Sequence, residues 1–250
     1  MSDCRPIVLS IAGLDPSAGA GLLADIKTFE QHKVYGLGIS TAQTLQTEDR
    51  FYSIRWEEPE VIKEAIEKML WHYKVGVVKI GIVENNETLD QIVSLIATLD
   101  PNIKIVLDPV IRSSTGYEFW GEINKDVLLN LLTKLFLITP NYQEVLQLAP
   151  APDAETSVLQ LSATCNVLLK GGHNEEEEGT DYLYMQGVVE RIMPGPETVF
   201  SKHGSGCVLS SAITANLALG FDLLTACKEA KKYTEQFLSS NKTLLGYHHV

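Results

Sequence analysis

Residues 7–29 read IVLSIAGLDPSAGAGLLADIKTF: a short apolar run, nine residues crowded with glycine and alanine, then the beginning of a helical pattern. Ile7–Ala12 has the length and composition of a strand buried on both faces. The turn Gly13–Gly21 carries side chains small enough for backbone amides to approach a ligand closely. No Gly-Lys-Ser/Thr follows it, and its spacing is not GxGxxG, so neither a Walker loop nor a dinucleotide fingerprint is present. A tight turn into a helix is the plainer reading of the same residues. Asp25 falls near the start of that helix, where the dipole favours an acid whether or not it meets a ligand.

Four further apolar runs, Val75–Ile80, Ile103–Leu107, Leu135–Thr139 and Asn166–Lys170, repeat the strand signal. Between them lie helical stretches. The clearest is Pro59–Tyr73, with Val61, Ile62, Ala65, Ile66, Met69, Leu70 and Tyr73 on one side. Strands alternating with helices imply right-handed crossovers and a largely parallel sheet covered on both faces, a three-layer α/β sandwich formed by residues 1–250 as one domain. Ligands then gather at the carboxyl ends of the strands.

The chain has 250 residues, 45% of them hydrophobic, and a formal charge of −12. That balance offers no basic surface to nucleic acid or an anionic membrane. Cys4, Cys165, Cys207 and Cys227 lack CxxC spacing and read as thiols of a reducing compartment. No signal peptide or spanning stretch is recognisable, so a soluble cytoplasmic protein is expected. The acidic run Glu175–Glu178 reads as a solvated loop.

Most of the chemistry-bearing motifs follow strands. Thr41-Ala-Gln43-Thr44 reads as a polar loop, with Gln43 offering a donor and an acceptor to a heterocycle. Asp108-Pro-Val110 and Thr139-Pro-Asn141-Tyr-Gln-Glu144 put oxygen ligands at one sheet edge, suited to Mg²⁺ held together with a nucleotide phosphate. Asn141 and Glu144 also have the spacing of a capping box. Lys170-Gly-Gly172-His173 sets a cation beside a tight turn. His203-Gly204-Ser205-Gly206-Cys207 leads into a helix over Val208–Leu219 that closes at Gly220. Free amides there form an anion hole, and the helix dipole predicts a lowered pKa for Cys207, making it a candidate base. A buried residue packing the helix start is the alternative for Cys207.

Five motifs, AGLDPSAGAGLLADIKTF, TAQT, LDPVIRSSTG, TPNYQEV with LLKGGH, and HGSGCVLSSA, occur in the order seen in one family. From about residue 7 to 240 the chain resembles the hydroxymethylpyrimidine/phosphomethylpyrimidine kinases of the ribokinase superfamily. Most sugar kinases of that superfamily have Asp where this chain has Cys207. The resemblance implies a ribokinase-like α/β/α fold and a homodimer. It also implies ATP-dependent phosphorylation of 4-amino-5-hydroxymethyl-2-methylpyrimidine and then of its monophosphate, with Mg²⁺. Carried over, Gly13, Asp25, Gln43, Ile82 and Val110 form the pyrimidine pocket, and Gly204, Ser205, Gly206 and Cys207 the catalytic anion hole. Asp108, Asn141, Lys170 and Gly172 meet ATP, with Asp108 and Glu144 at the metal. Leu14, Ala18, Ile82, Arg112-Ser-Ser-Thr and the ending Leu244–Val250 depart from the family pattern. A pyridoxal, pyridoxine or pyridoxamine kinase is the nearest alternative, and a non-catalytic ligand-binding relative a more distant one.

Overall fold

The structure is a computed structural model describing residues 4–112, 116–119, 125–173, 177–185 and 187–248. Three motif readings fall partly outside these: Ser113–Thr115 after Arg112, the acidic run at 175 and 176, and His249.

In chain order the elements are β1 (Ile7–Leu14), α1 (Gly21–Gln31), β2 (Tyr35–Gln46), β3 (Phe51–Trp56), α2 (Pro59–His72), β4 (Val75–Ile80), α3 (Asn86–Leu99) and β5 (Lys104–Leu107). There follow α4 (Lys125–Leu132), β6 (Leu137–Ile138), α5 (Tyr142–Leu148), α6 (Ala154–Ser162), β7 (Asn166–Leu169), β8 (Asp181–Met185), β9 (Val188–Ile192), α7 (Ser205–Ala218) and α8 (Leu223–Ser239).

One sheet runs β3-β2-β1-β4-β5-β6-β7-β8-β9. The six strands from β2 to β7 are parallel, with β3 at one end and β8 and β9 at the other running antiparallel. Side-chain alternation splits the core. Leu9, Ile11, Val78, Ile80, Ile105, Leu107 and Ile138 face α2 to α6, whereas Val8, Val77, Val106, Leu137 and Leu168 face α1, α7 and α8. Both faces are therefore apolar, which is why these strands read as continuous runs. Helix α7 is buried on nearly all sides from Val208 to Leu217 and lacks an amphipathic stripe, as suits a helix clamped between sheet and helices.

Two readings change. Thr41–Thr44 is not a loop but the interior of β2, paired with β1 and β3. Asp25 sits past the first turn of α1, which contains no acid. The strand order reverses beside β1, with β2 on one side and β4 on the other. A crevice opens at such a reversal, and the Gly13–Gly21 turn lies there.

Candidate active site

A cavity of about 800 Å³ runs along the carboxyl ends of β1, β4, β5 and β7 to the N-terminus of α7. Its lining includes Gly13, Ile82, Asp108, Val110, Asn141, Glu144, Lys170, Gly172 and Gly204 to Cys207. Asp25 and Gln43 are not part of the wall.

Helix α7 is entered through its N-cap Gly204, in the left-handed region at φ 77°, with no side-chain cap. By helix geometry the amides of Ser205, Gly206 and Cys207 have no intrahelical acceptor, so they face the cavity as anion donors. Glycine is required at 204 twice over: by that φ, and because a Cβ would stand 2.0 Å from the Gly19 carbonyl oxygen. The last motif is thus seated directly on the first. Asp15 locks the junction. Its carboxylate accepts from the Ala20 and Ser17 amides at 2.9 Å and from Ser17 Oγ at 2.7 Å, and it lies 3.0 Å from His203 Nε2. Burial alone would raise the Asp15 pKa, but these hydrogen bonds outweigh it and hold the carboxyl below the usual range. Ala18 adopts φ 57°, a conformation costing an ordinary residue about 1 kcal/mol.

Opposite the helix, Lys170 Nζ donates to Asp108 Oδ1 at 2.9 Å and lies 3.6 Å from Glu144 Oε2. Ser210 of α7 donates to Asp108 Oδ2 at 3.1 Å. Although burial opposes ionisation of Asp108, the Lys170 and Lys79 charges keep its pKa low. Glu144 is the opposite case: burial, reinforced by Asp108, raises it against the pull of Lys170. A Cβ on Gly206 would lie 3.5 Å from Lys170 Nζ, so the bare amide and the ammonium share one corner. Asn141 and Glu144 do form the capping box of α5: Asn141 Oδ1 accepts from the Gln143 and Glu144 amides, and Glu144 Oε2 from the Asn141 amide at 2.7 Å.

Asp25 is wholly buried and saturated. It accepts from Lys79 Nζ at 2.8 and 3.0 Å, from Ser10 Oγ at 2.6 Å and from Ser211 Oγ at 2.6 Å, tying α1, β1, β4 and α7 together. Lys79 is the member of this network that touches the cavity. Gln43 is exposed and accepts from Arg55, whereas Thr44 and Gln46, on the other side of β2, line the cavity. The expected direction for Cys207 is reversed: burial, with Asp108 and Asp25 nearby, pushes its thiol up to about 11 against the Lys79 charge and the Gly21 amide. At neutral pH it is a thiol, not a resting thiolate.

Lys79 and Gln46 lie outside the motifs, and Asp15 and His203 lie inside them without a role read from the sequence, yet all four line the cavity. A lysine inside the apolar run Val75–Ile80 was itself a signal, since a charge in a doubly covered strand must be paired.

Free amides, a lysine and buried carboxylates gathered at the strand ends of this sheet, without a Walker loop, are the makings of a ribokinase-like small-molecule kinase. The pyridoxal kinase of Staphylococcus aureus, solved with ADP, has this fold, with TM-score 0.83 over 96% of this chain and 90% of that one at 24% identity. The phosphomethylpyrimidine kinase of Clostridium difficile 630 superimposes with TM-score 0.76 at 31% identity, covering 92% and 98%. A hydroxymethylpyrimidine/phosphomethylpyrimidine kinase of Aquifex aeolicus (strain VF5) is 35% identical over 96% of this chain and 98% of its own. The profile of the family described as phosphomethylpyrimidine kinase matches residues 15–250, and the chain belongs to that family.

Proposed function

We propose that this protein transfers the γ-phosphoryl group of ATP to the hydroxymethyl group of 4-amino-5-hydroxymethyl-2-methylpyrimidine and then to the resulting monophosphate, as a homodimer in the cytoplasm. The observation that carries the transfer is the uncapped N-terminus of α7, with Lys170 Nζ beside Gly206. Phosphoryl transfer has a loose transition state with charge spread over the equatorial oxygens, so positioning and electrostatics do most of the work. The amides hold the transferring group and Lys170 balances charge beside it. Cys207, protonated, borders the acceptor's hydroxyl and does not draw its proton as a resting anion.

Asn141, Lys170 and Gly172 belong to the nucleotide end. Gly13, Gln46, Ile82 and Val110 bound the acceptor end, with Lys79 beneath. Asp25 acts on the acceptor only through Lys79, and Gln46 takes the part expected of Gln43. Asp108 and Glu144 would hold Mg²⁺. Both line the wall, and a pair of carboxylates suits a cation that keeps waters and takes its other ligands from phosphate. Bound there, Mg²⁺ would neutralise charge on the phosphates.

The test is a panel. Protein with Mg–ATP is given hydroxymethylpyrimidine, its monophosphate, pyridoxal, pyridoxine, pyridoxamine and ribose, and products are identified by mass. Hydroxymethylpyrimidine should give the highest kcat/KM, with a second phosphate on longer incubation. Pyridoxal kinases share this fold, so the pyridoxal vitamers are the rival acceptors in the panel. Preference for a pyridoxal vitamer would establish that rival, and no product from any acceptor would end the kinase reading.

A further inference from the structure

We infer that the segment after α8, residues 241–248, is a positioning element of the phosphoryl site, acting through Leu245 on the contact between Gly19 and His203. This rests on the reading that the N-terminus of α7 holds the transferring group.

The segment is shaped by its own hydrogen bonds. Asn241 Oδ1 accepts from the Thr243 amide and hydroxyl, both at 2.7 Å, and Asn241 Nδ2 donates to the Leu245 carbonyl at 2.9 Å. The Tyr247 amide donates to Ser240 Oγ at 2.9 Å. Gly246 lies so close to the Phe237 ring that a Cβ would come within 2.4 Å of it, and Tyr233 Oη meets His248 Nδ1 at 2.7 Å.

So anchored on α8, the segment grips the loop that leads into α7. The His203 amide donates to the Leu244 carbonyl at 2.9 Å, and Lys202 Nζ to the Asn241 carbonyl at 2.6 Å. A Cβ placed on Gly19 would meet His203 Cδ2 at 2.8 Å and Leu245 Cδ2 at 2.9 Å, so both side chains close on the same glycine. His203 is consequently held at its amide by Leu244 and at its ring by Asp15, one residue before the N-cap of the anion-hole helix. Amides that stabilise a transition state work only where they already point, so loosening this grip reduces turnover more than binding.

A merely stabilising clamp would weaken the whole fold and leave turnover per folded molecule alone. The distinguishing experiment compares Leu245→Ala, Leu245→Met and Tyr247→Ala in the full chain; the Tyr247 side chain is exposed and serves as control. Leu245→Ala should lower kcat about tenfold while KM for Mg–ATP stays within about twofold, and Leu245→Met should restore most of the rate. Hydrogen exchange should quicken in Leu245→Ala at residues 13–21 and 203–208 and stay unchanged in β4 and β5. Unaltered kcat with unaltered exchange, or exchange rising equally throughout, overturns the inference. A chain ending at Ser240, where it folds, must reproduce the loss of kcat, and full turnover in it overturns the inference as well. Should the intact protein phosphorylate nothing, the kinase reading falls while the exchange measurement still decides whether the segment positions the loop.

Discussion

Lys79 and Asp25 show how a buried charge pair behaves as a unit. Removing one partner strands the other in the core, which typically costs 3–5 kcal/mol, roughly that much being expected of Lys79→Met in urea unfolding. Lys79→Met with Asp25→Leu should regain most of the loss, because both charges then leave together; a double variant no more stable than the single one would deny the coupling. Cys207 offers a second measurement. With its thiol near 11, about one molecule in a thousand carries the thiolate at pH 8. Alkylation of Cys207 by iodoacetamide should therefore climb about tenfold per pH unit between 8 and 10. A rate already level near neutral pH would restore the resting thiolate. The helix dipole was legible in the sequence, but the desolvation that outweighs it was not, since the surroundings of 207, Asp25 and Asp108 among them, are brought together from distant parts of the chain.

At the level of elements, β1, β4, β5, β7 and α2 were readable because doubly covered strands and amphipathic helices write their surroundings into their composition. Strand β2 was not. Its glycines and polar threonines resemble a loop until a partner lies on each side, and a loop reading gives no way to tell that Gln43 lies outside the cavity wall. A strand alternates every residue, so Thr44 and Gln46 share the cavity side while Gln43 turns to Arg55. The start of α7 was legible from its glycines, yet what Gly204 rests on was hidden in a loop some 185 residues earlier. Gly204→Ala should push that loop away, since both the left-handed φ and the 2.0 Å approach to Gly19 forbid a Cβ. Turnover should fall about a hundredfold or more, with a smaller change in ATP binding. Near-normal kcat in Gly204→Ala would show that the first loop need not touch the helix for transfer to occur.

For the molecule as a whole, acid should undo the junction between the first and last motifs. The folded Asp15 carboxyl titrates below its ordinary 3.8, so its contribution is complete above 3.8 and is lost as pH falls through the lower folded value. Asp108 has the same sign. Glu144 has the other: its pKa is raised above 4.5, so protonation there favours the folded chain. Urea midpoints measured as pH falls below 3.8 should drop more steeply for the natural protein than for Asp15→Asn. Equal slopes would show that Asp15 carries none of this dependence. The meeting of Leu245 with Gly19 joins residues 226 positions apart in the order of synthesis. At about 5–20 residues per second, the glycine-rich turn leaves the ribosome roughly 10–45 s before the leucine that steadies it has been made. A nascent chain can thus assemble most of its sheet before the contact between Gly19 and Leu245 can form.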